Sequence, residues 1–133
     1  MTKAKNILFV CKYNRFRSKI AEALFNKFNK NKKNKAKSAG VIRGYPISKE
    51  IINASKKLGI RIKGKPQGLS TELLRWADLT ILVADDIPSL IFSSKYTKKL
   101  IVWRIRDAKN NKELSKKIKL IEKRVKDLIK NLK

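Results

Sequence analysis

The chain has one cysteine, Cys11, and an arginine, Arg17, follows it six residues later with Ser18 beside it. The intervening run is Lys12-Tyr13-Asn14-Arg15-Phe16. This spacing can supply what a phosphate monoester needs in order to be cleaved through a covalent sulfur intermediate. A thiolate is the nucleophile, and nearby cations and a helix N-terminus favour that ionised form. The backbone N–H groups of a short loop can converge on phosphoryl oxygens. An arginine at the helix start offers a bidentate fork for two of those oxygens. Ser18 can donate a hydrogen bond to the sulfur and ease its later departure as a leaving group. Lys12, Tyr13, Asn14, Arg15, Phe16 and Ser18 would then form the phosphate-binding loop, with Cys11 as nucleophile and Arg17 as the phosphate holder. The competing reading is an inert buried cysteine beside a surface arginine. The context weighs against it, because the cysteine ends an apolar run and a helical stripe begins directly after the arginine.

That context comes from the elements around the loop. Ile7-Leu8-Phe9-Val10 is an uninterrupted apolar run of the kind a fully buried strand carries. Ile20, Ala21, Leu24, Phe25 and Phe28 recur at helical spacing. Ala36 to Gly40 reads as a weak second strand, then Gly44 and Pro46 as a turn. Ser48 is placed to cap a helix with Ile51, Ile52 and Leu58 on its face and Gly59 just past its end. Ser70 can cap a short helix bearing Leu73, Leu74 and Trp76. Leu79 to Val83 and Leu100 to Trp103 read as further strands, with a helix expected over Asp86 to Phe92 between them. Leu114, Ile118, Ile121, Val125, Leu128 and Leu132 make the clearest helical stripe. Apolar strands alternating with helices imply a doubly wound α/β fold, a parallel sheet with helices on both faces. Ligands of such folds bind outside the carboxyl ends of the strands, where the Cys11 loop would lie.

The 133 residues suit one domain spanning 1–133, with no repeat or linker, and 42% hydrophobic residues suffice for a core. A single cysteine allows no intrachain disulfide, and the opening MTKAKNILFV is too short an apolar run for a signal peptide or membrane span. A cytoplasmic location is the expectation. Lys plus Arg number 35 against 10 Asp plus Glu, a net charge of +25. Such a surface can bind nucleic acid or steer phosphorylated substrates toward a site. Runs such as Asn26 to Lys37 are also consistent with biased composition on a solvated surface.

The motif Val10-Cys11-Lys12-Tyr13-Asn14-Arg15-Phe16-Arg17-Ser18 resembles the opening signature of the low-molecular-weight protein tyrosine phosphatase family, which includes thiol-dependent arsenate reductases. Ala21-Glu22-Ala23, Ser38-Ala39-Gly40 and Ala77-Asp78-Leu79 are similar to further segments of that family. The resemblance implies a four-stranded parallel sheet and a two-step mechanism through phosphocysteine, without metal or other cofactor. It also implies a general acid, an Asp after the fourth strand, and Asp107 matches that place although Ala108 stands where a Pro is usual. The residues themselves leave Asp85, Asp86 and Asp107 as acids able to reach the strand ends. Asp78 precedes its strand, Asp127 lies deep in the last helix, and Asp85 or Asp86 can instead cap the expected helix.

Departures from the family pattern carry consequences. Phe16 stands where many members have a second cysteine, Tyr13 where a glycine is frequent, and a family histidine is replaced within Gly64-Lys65. Support for Asn14 would then fall to Ser38, Ser18 or water. Tyr13 and Phe16 offer aromatic surface to a ring-bearing leaving group, unless Phe16 packs beneath the loop. The leading expectation is a protein tyrosine phosphatase acting on phosphorylated protein, first of all phosphotyrosine in an acidic peptide, or on a small phosphate ester. The alternatives are a catalytically weak phosphate- or nucleic-acid-binding module on the same fold, and an arsenate reductase using an external thiol. A phosphocysteine carrier of a sugar phosphotransferase system has no need of Arg17 or Asp107.

Overall fold

The computed structural model describes residues 5–42, 46–62, 64–93 and 95–132. The elements follow in the order β1 (Asn6–Cys11), α1 (Arg17–Phe28), β2 (Lys35–Gly40), α2 (Lys49–Lys57), α3 (Thr71–Trp76), β3 (Leu79–Val83), β4 (Leu100–Trp103) and α4 (Asn111–Asn131). A 3-10 turn, Ser89–Phe92, lies between β3 and β4. All four strands are parallel, in the order β2-β1-β3-β4.

The pleat explains why the β1 sequence is apolar from Ile7 to Cys11. Successive side chains point to opposite faces, and both faces are covered. Ile7 and Phe9 enter a core with Ile20, Leu24 and Phe25 of α1, Ile51 of α2 and Leu114, Ile118, Ile121 and Val125 of α4. Leu8 and Val10 enter a second core with Leu74 of α3 and Phe92. In α4 the first four positions of the stripe are buried, whereas Leu128 and Leu132 are half-buried at its edge. β2 gave only a weak signal because it is an edge strand, with Lys35 and Lys37 exposed.

Caps account for the helix starts. Ser48 Oγ accepts from Ile51 N at 3.2 Å, Ser70 Oγ from Leu73 N at 3.2 Å and Asn110 Oδ1 from Glu113 N at 3.2 Å. Gly59, just past α2, has φ +73°, the left-handed conformation that glycine adopts without strain. The expected turn at Gly44 falls outside the described residues. The helix expected over Asp86 to Phe92 is instead the short 3-10 turn, with Pro88 at its start. Proline disfavours helical backbone at Ile87, so the helical turn starts only after Pro88 and is the short 3-10 one. Asp85 and Asp86 therefore cap nothing and remain in the loop after β3.

This topology fixes where a ligand can bind. From β1 the chain crosses to β2 on one side and later to β3 on the other, so the strand order reverses at β1. A crevice opens at such a reversal, outside the carboxyl ends of β1 and β3. Cys11 is the last residue of β1.

Candidate active site

The loop from Lys12 to Phe16 joins β1 to α1 with no side-chain cap, since the N-cap residue of α1 is Phe16. The first amides of α1 are thus left to an anion held in the loop. Asn14 takes the one positive φ among the described non-glycine residues, 57°, and is fully buried. Asparagine tolerates this conformation better than most residues, and here its side chain is tied at both ends. Asn14 Oδ1 accepts from the backbone N–H of Gln67 at 2.9 Å, and its Nδ2 donates to Ser18 Oγ at 2.8 Å. Ser18 Oγ lies 2.9 Å from Cys11 Sγ. The backbone N–H can only donate, so the amide orientation follows, and Ser18 Oγ accepts a hydrogen bond from Asn14. The Ser18 hydroxyl has one hydrogen, with Cys11 Sγ at 2.9 Å and the Ala39 carbonyl at 3.5 Å both within reach, and when Cys11 is ionised only the hydroxyl of that pair can donate, so its hydrogen then turns to the sulfur. A polarised chain from Gln67 through Asn14 and Ser18 ends on Cys11.

Arg17 is the largest fully buried side chain, 2% exposed, and its guanidinium is held from several directions. Nη1 donates to the Ile105 carbonyl at 3.0 Å, and Nη2 pairs with Asp86 at 3.1 Å. Asp85 lies 3.7 Å from Nη1 and Asp107 3.9 Å from Nε. The three acids left open by the sequence therefore surround one guanidinium. Asp86 makes the tightest contact, while Asp107 is half exposed and accepts from its neighbour Ala108 N at 3.0 Å. Asp78 lies at the other end of the sheet, accepting from Asn6 N at 2.8 Å, and Asp127 is exposed on α4.

Two expectations change. The Ser38 hydroxyl donates to Glu22 Oε1 at 2.5 Å and makes no bond to Asn14. Ser38 acts one step away, because its carbonyl accepts from Gln67 Nε2 at 2.7 Å while the Gln67 backbone reaches Asn14. Phe16, 3% exposed, packs into the larger core beneath the loop, the placement the sequence had left open. Helical backbone beginning at Arg17 directs the preceding side chain inward toward Ile20 and Ile51. Tyr13, Lys12 and Arg15 remain partly exposed, with Lys12 Nζ 5.3 Å from the Tyr13 ring centroid.

A family model described as low molecular weight phosphotyrosine protein phosphatase matches residues 6–133. The chain belongs to this family. Among solved structures, the low molecular weight protein tyrosine phosphatase from T. tengcongensis is 28% identical, with TM-score 0.84, covering 96% of this chain and 99% of the other. An arsenate reductase from Archaeoglobus fulgidus is also 28% identical, with TM-score 0.74, covering 92% of this chain and 98% of that one. The YwlE arginine phosphatase from Geobacillus stearothermophilus, 22% identical over 96% of this chain and 92% of its own, shares the fold with TM-score 0.84. No curated protein matches at comparable stringency. Among the described residues no helix is long and apolar enough to cross a membrane.

Within this phosphatase-family fold, two contributors escaped the sequence. Gln67 acts through its backbone, which leaves no residue-type signal. Gly40 was legible only as part of a similar segment. A Cβ there would lie 2.6 Å from Tyr13 C and 2.8 Å from Asn14 N, so β2 must end in glycine for the loop to pass. Gly40→Ala is therefore expected to cost about 1–3 kcal/mol through overpacking against backbone. It should also weaken phosphate binding, because the displaced atoms belong to the loop. Thermal unfolding with and without phosphate checks both. An unchanged melting temperature and phosphate shift would show that the loop has slack.

Proposed function

We propose that the protein hydrolyses phosphate monoesters through a phosphocysteine and that its substrates are phosphotyrosyl side chains in acidic sequence. The observation that carries this reading is the hydrogen-bonded chain from Gln67 through Asn14 and Ser18 to Cys11 Sγ, beside a buried Arg17 at an uncapped helix start. Cys11 Sγ attacks phosphorus as the ester P–O bond breaks, and Asp107 gives its proton to the departing oxygen. Water then attacks phosphorus while Asp107 takes a proton from it. The P–S bond breaks, inorganic phosphate leaves, and the Ser18 hydroxyl stabilises the released thiolate. Arg17 holds two phosphoryl oxygens through both steps, and loop amides hold the charge that develops on phosphorus.

An arsenate reductase reading draws on the Archaeoglobus relative. With one cysteine in the chain it requires an external thiol to complete the redox cycle. The +25 charge likewise supports a binding-module reading.

The test has two parts. Purified protein should release p-nitrophenol from p-nitrophenyl phosphate in the presence of a chelator, and iodoacetate near neutral pH should inactivate it unless phosphate or vanadate is present. Absence of turnover together with unprotected alkylation would defeat the reading. Arsenate-dependent oxidation of an added thiol without phosphatase activity would favour the reductase.

A further inference from the structure

We propose that a cavity beside Asp107 is a subsite for an anionic group on the leaving-group side of the substrate, selecting carboxylate- or phosphate-bearing esters over cationic ones. The inference rests on the phosphatase reading above and specifies the substrate class for that site. The cavity encloses about 180 Å³ and is lined by residues including Arg15, Phe16, Ile51, Asp107, Lys109 and Leu114. Phe16, Ile51 and Leu114 are buried and make an apolar floor. Asp107 places the cavity against the reacting centre, 3.9 Å from the Arg17 guanidinium.

Among the described residues, the charged side chains lining this cavity are Arg15 and Lys109 against Asp107. Glu113, close by on α4, turns back to accept from Lys109 N at 3.2 Å. The two helix starts at the rim are engaged by their own caps, Ser48 and Asn110, so attraction for an anion comes from the two cationic side chains. Chemistry sharpens that bias. In the first step Asp107 carries the proton that it donates, so at that moment the other charged side chains described here, Arg15 and Lys109, are both cationic. A guanidinium leaving group would meet like charge at Lys109, whereas a carboxylate would meet opposite charge there. The volume suits a group the size of one side chain, since sites that enclose drug-sized ligands run to about 300–1,000 Å³.

The test separates this local selection from the overall positive charge. Three aryl phosphates of matched leaving-group acidity, bearing a carboxylate, a carboxamide or a trimethylammonium group, are compared at about 0.3 M salt, where long-range steering is largely screened. The carboxylate should exceed the carboxamide in kcat/KM by about three- to tenfold, the scale of partly exposed charge pairs, and the ammonium should fall below both. Lys109→Gln should reduce that ratio, and Lys109→Glu should reverse the order of carboxylate and ammonium, a change that misfolding cannot mimic. Lys123→Gln, far along the exposed side of α4, should leave the ratio unaltered. An acid-flanked phosphotyrosyl peptide and a sugar bisphosphate, each against its neutral analogue, then tell whether a carboxylate or a second phosphate gains more. Equal kcat/KM for the three esters, or equal effects of the Lys109 and Lys123 variants, would overturn the subsite while leaving the phosphatase intact. Failure to hydrolyse any of them would defeat the phosphatase reading instead.

Discussion

Cys11→Ser should lower kcat for p-nitrophenyl phosphate by at least roughly 10⁴-fold, the scale on which removal of a covalent nucleophile acts, while phosphate affinity persists. At neutral pH an ordinary hydroxyl supplies almost none of the anion that a thiol supplies. The surroundings cannot rescue it. Ser18 Oγ, 2.9 Å from the sulfur, is itself a neutral hydroxyl and too weak a base to take the proton of a serine at position 11. The fold should tolerate the change, because serine is no larger and can keep a bond to Ser18. Arg17, the loop amides and their partners are untouched, so calorimetric titration with phosphate or vanadate should still show binding. Turnover within tenfold of the parent would place the nucleophile elsewhere. Loss of both turnover and binding would mean that the sulfur shapes the loop as well as reacting.

Asp107→Asn should lower kcat by roughly 10² to 10⁴, the usual contribution of general acid catalysis, with a larger loss for tyrosyl phosphate than for p-nitrophenyl phosphate. The nitrophenolate departs with less help from a proton. The decline in rate at higher pH, where a donating carboxyl has lost its proton, should flatten in this variant. The three carboxylates around Arg17 make the comparison exacting. Asp86 contacts Nη2 at 3.1 Å and Asp85 contacts both Arg17, at 3.7 Å, and Arg106, at 3.8 Å. Those contacts fit residues that orient the guanidinium, so Asp86→Asn should act mainly on KM and on phosphate affinity. Asp107 has the longest approach to Arg17 and is half exposed, open to a leaving group above the crevice. If Asp86→Asn or Asp85→Asn shows the leaving-group dependence and flattened profile and Asp107→Asn does not, the acid lies on the loop after β3.

Properties carried by neighbouring residues were legible in the sequence itself. The apolar run before Cys11 marks a strand buried on both faces, the stripe from Ile20 marks a helix, and the six-residue step to Arg17 marks a phosphate-sized loop between them. β3 and β4 were bounded correctly because each is a short run of β-branched and apolar residues, and Ser48 and Ser70 announced their helices through local caps. The resemblance in the Cys11 loop also led to the right family.

Tertiary structure decided what depends on residues distant in the chain. Whether Phe16 faced a substrate or the core depended on the path of the loop over Ile20 and Ile51, which spacing does not encode. Asn14 is supported by a backbone N–H from Gln67, 53 residues away, and a backbone group leaves no mark in residue type. Asp85 and Asp86 looked like helix caps because local rules see only the next turn. Pro88 disfavours helical backbone at Ile87, and the parallel order β2-β1-β3-β4 sets their loop beside Arg17, 69 residues from Asp86. Periodicity reports which face of an element is buried, but bringing three carboxylates onto one guanidinium requires the crossovers that set β1 next to β3 and β3 next to β4.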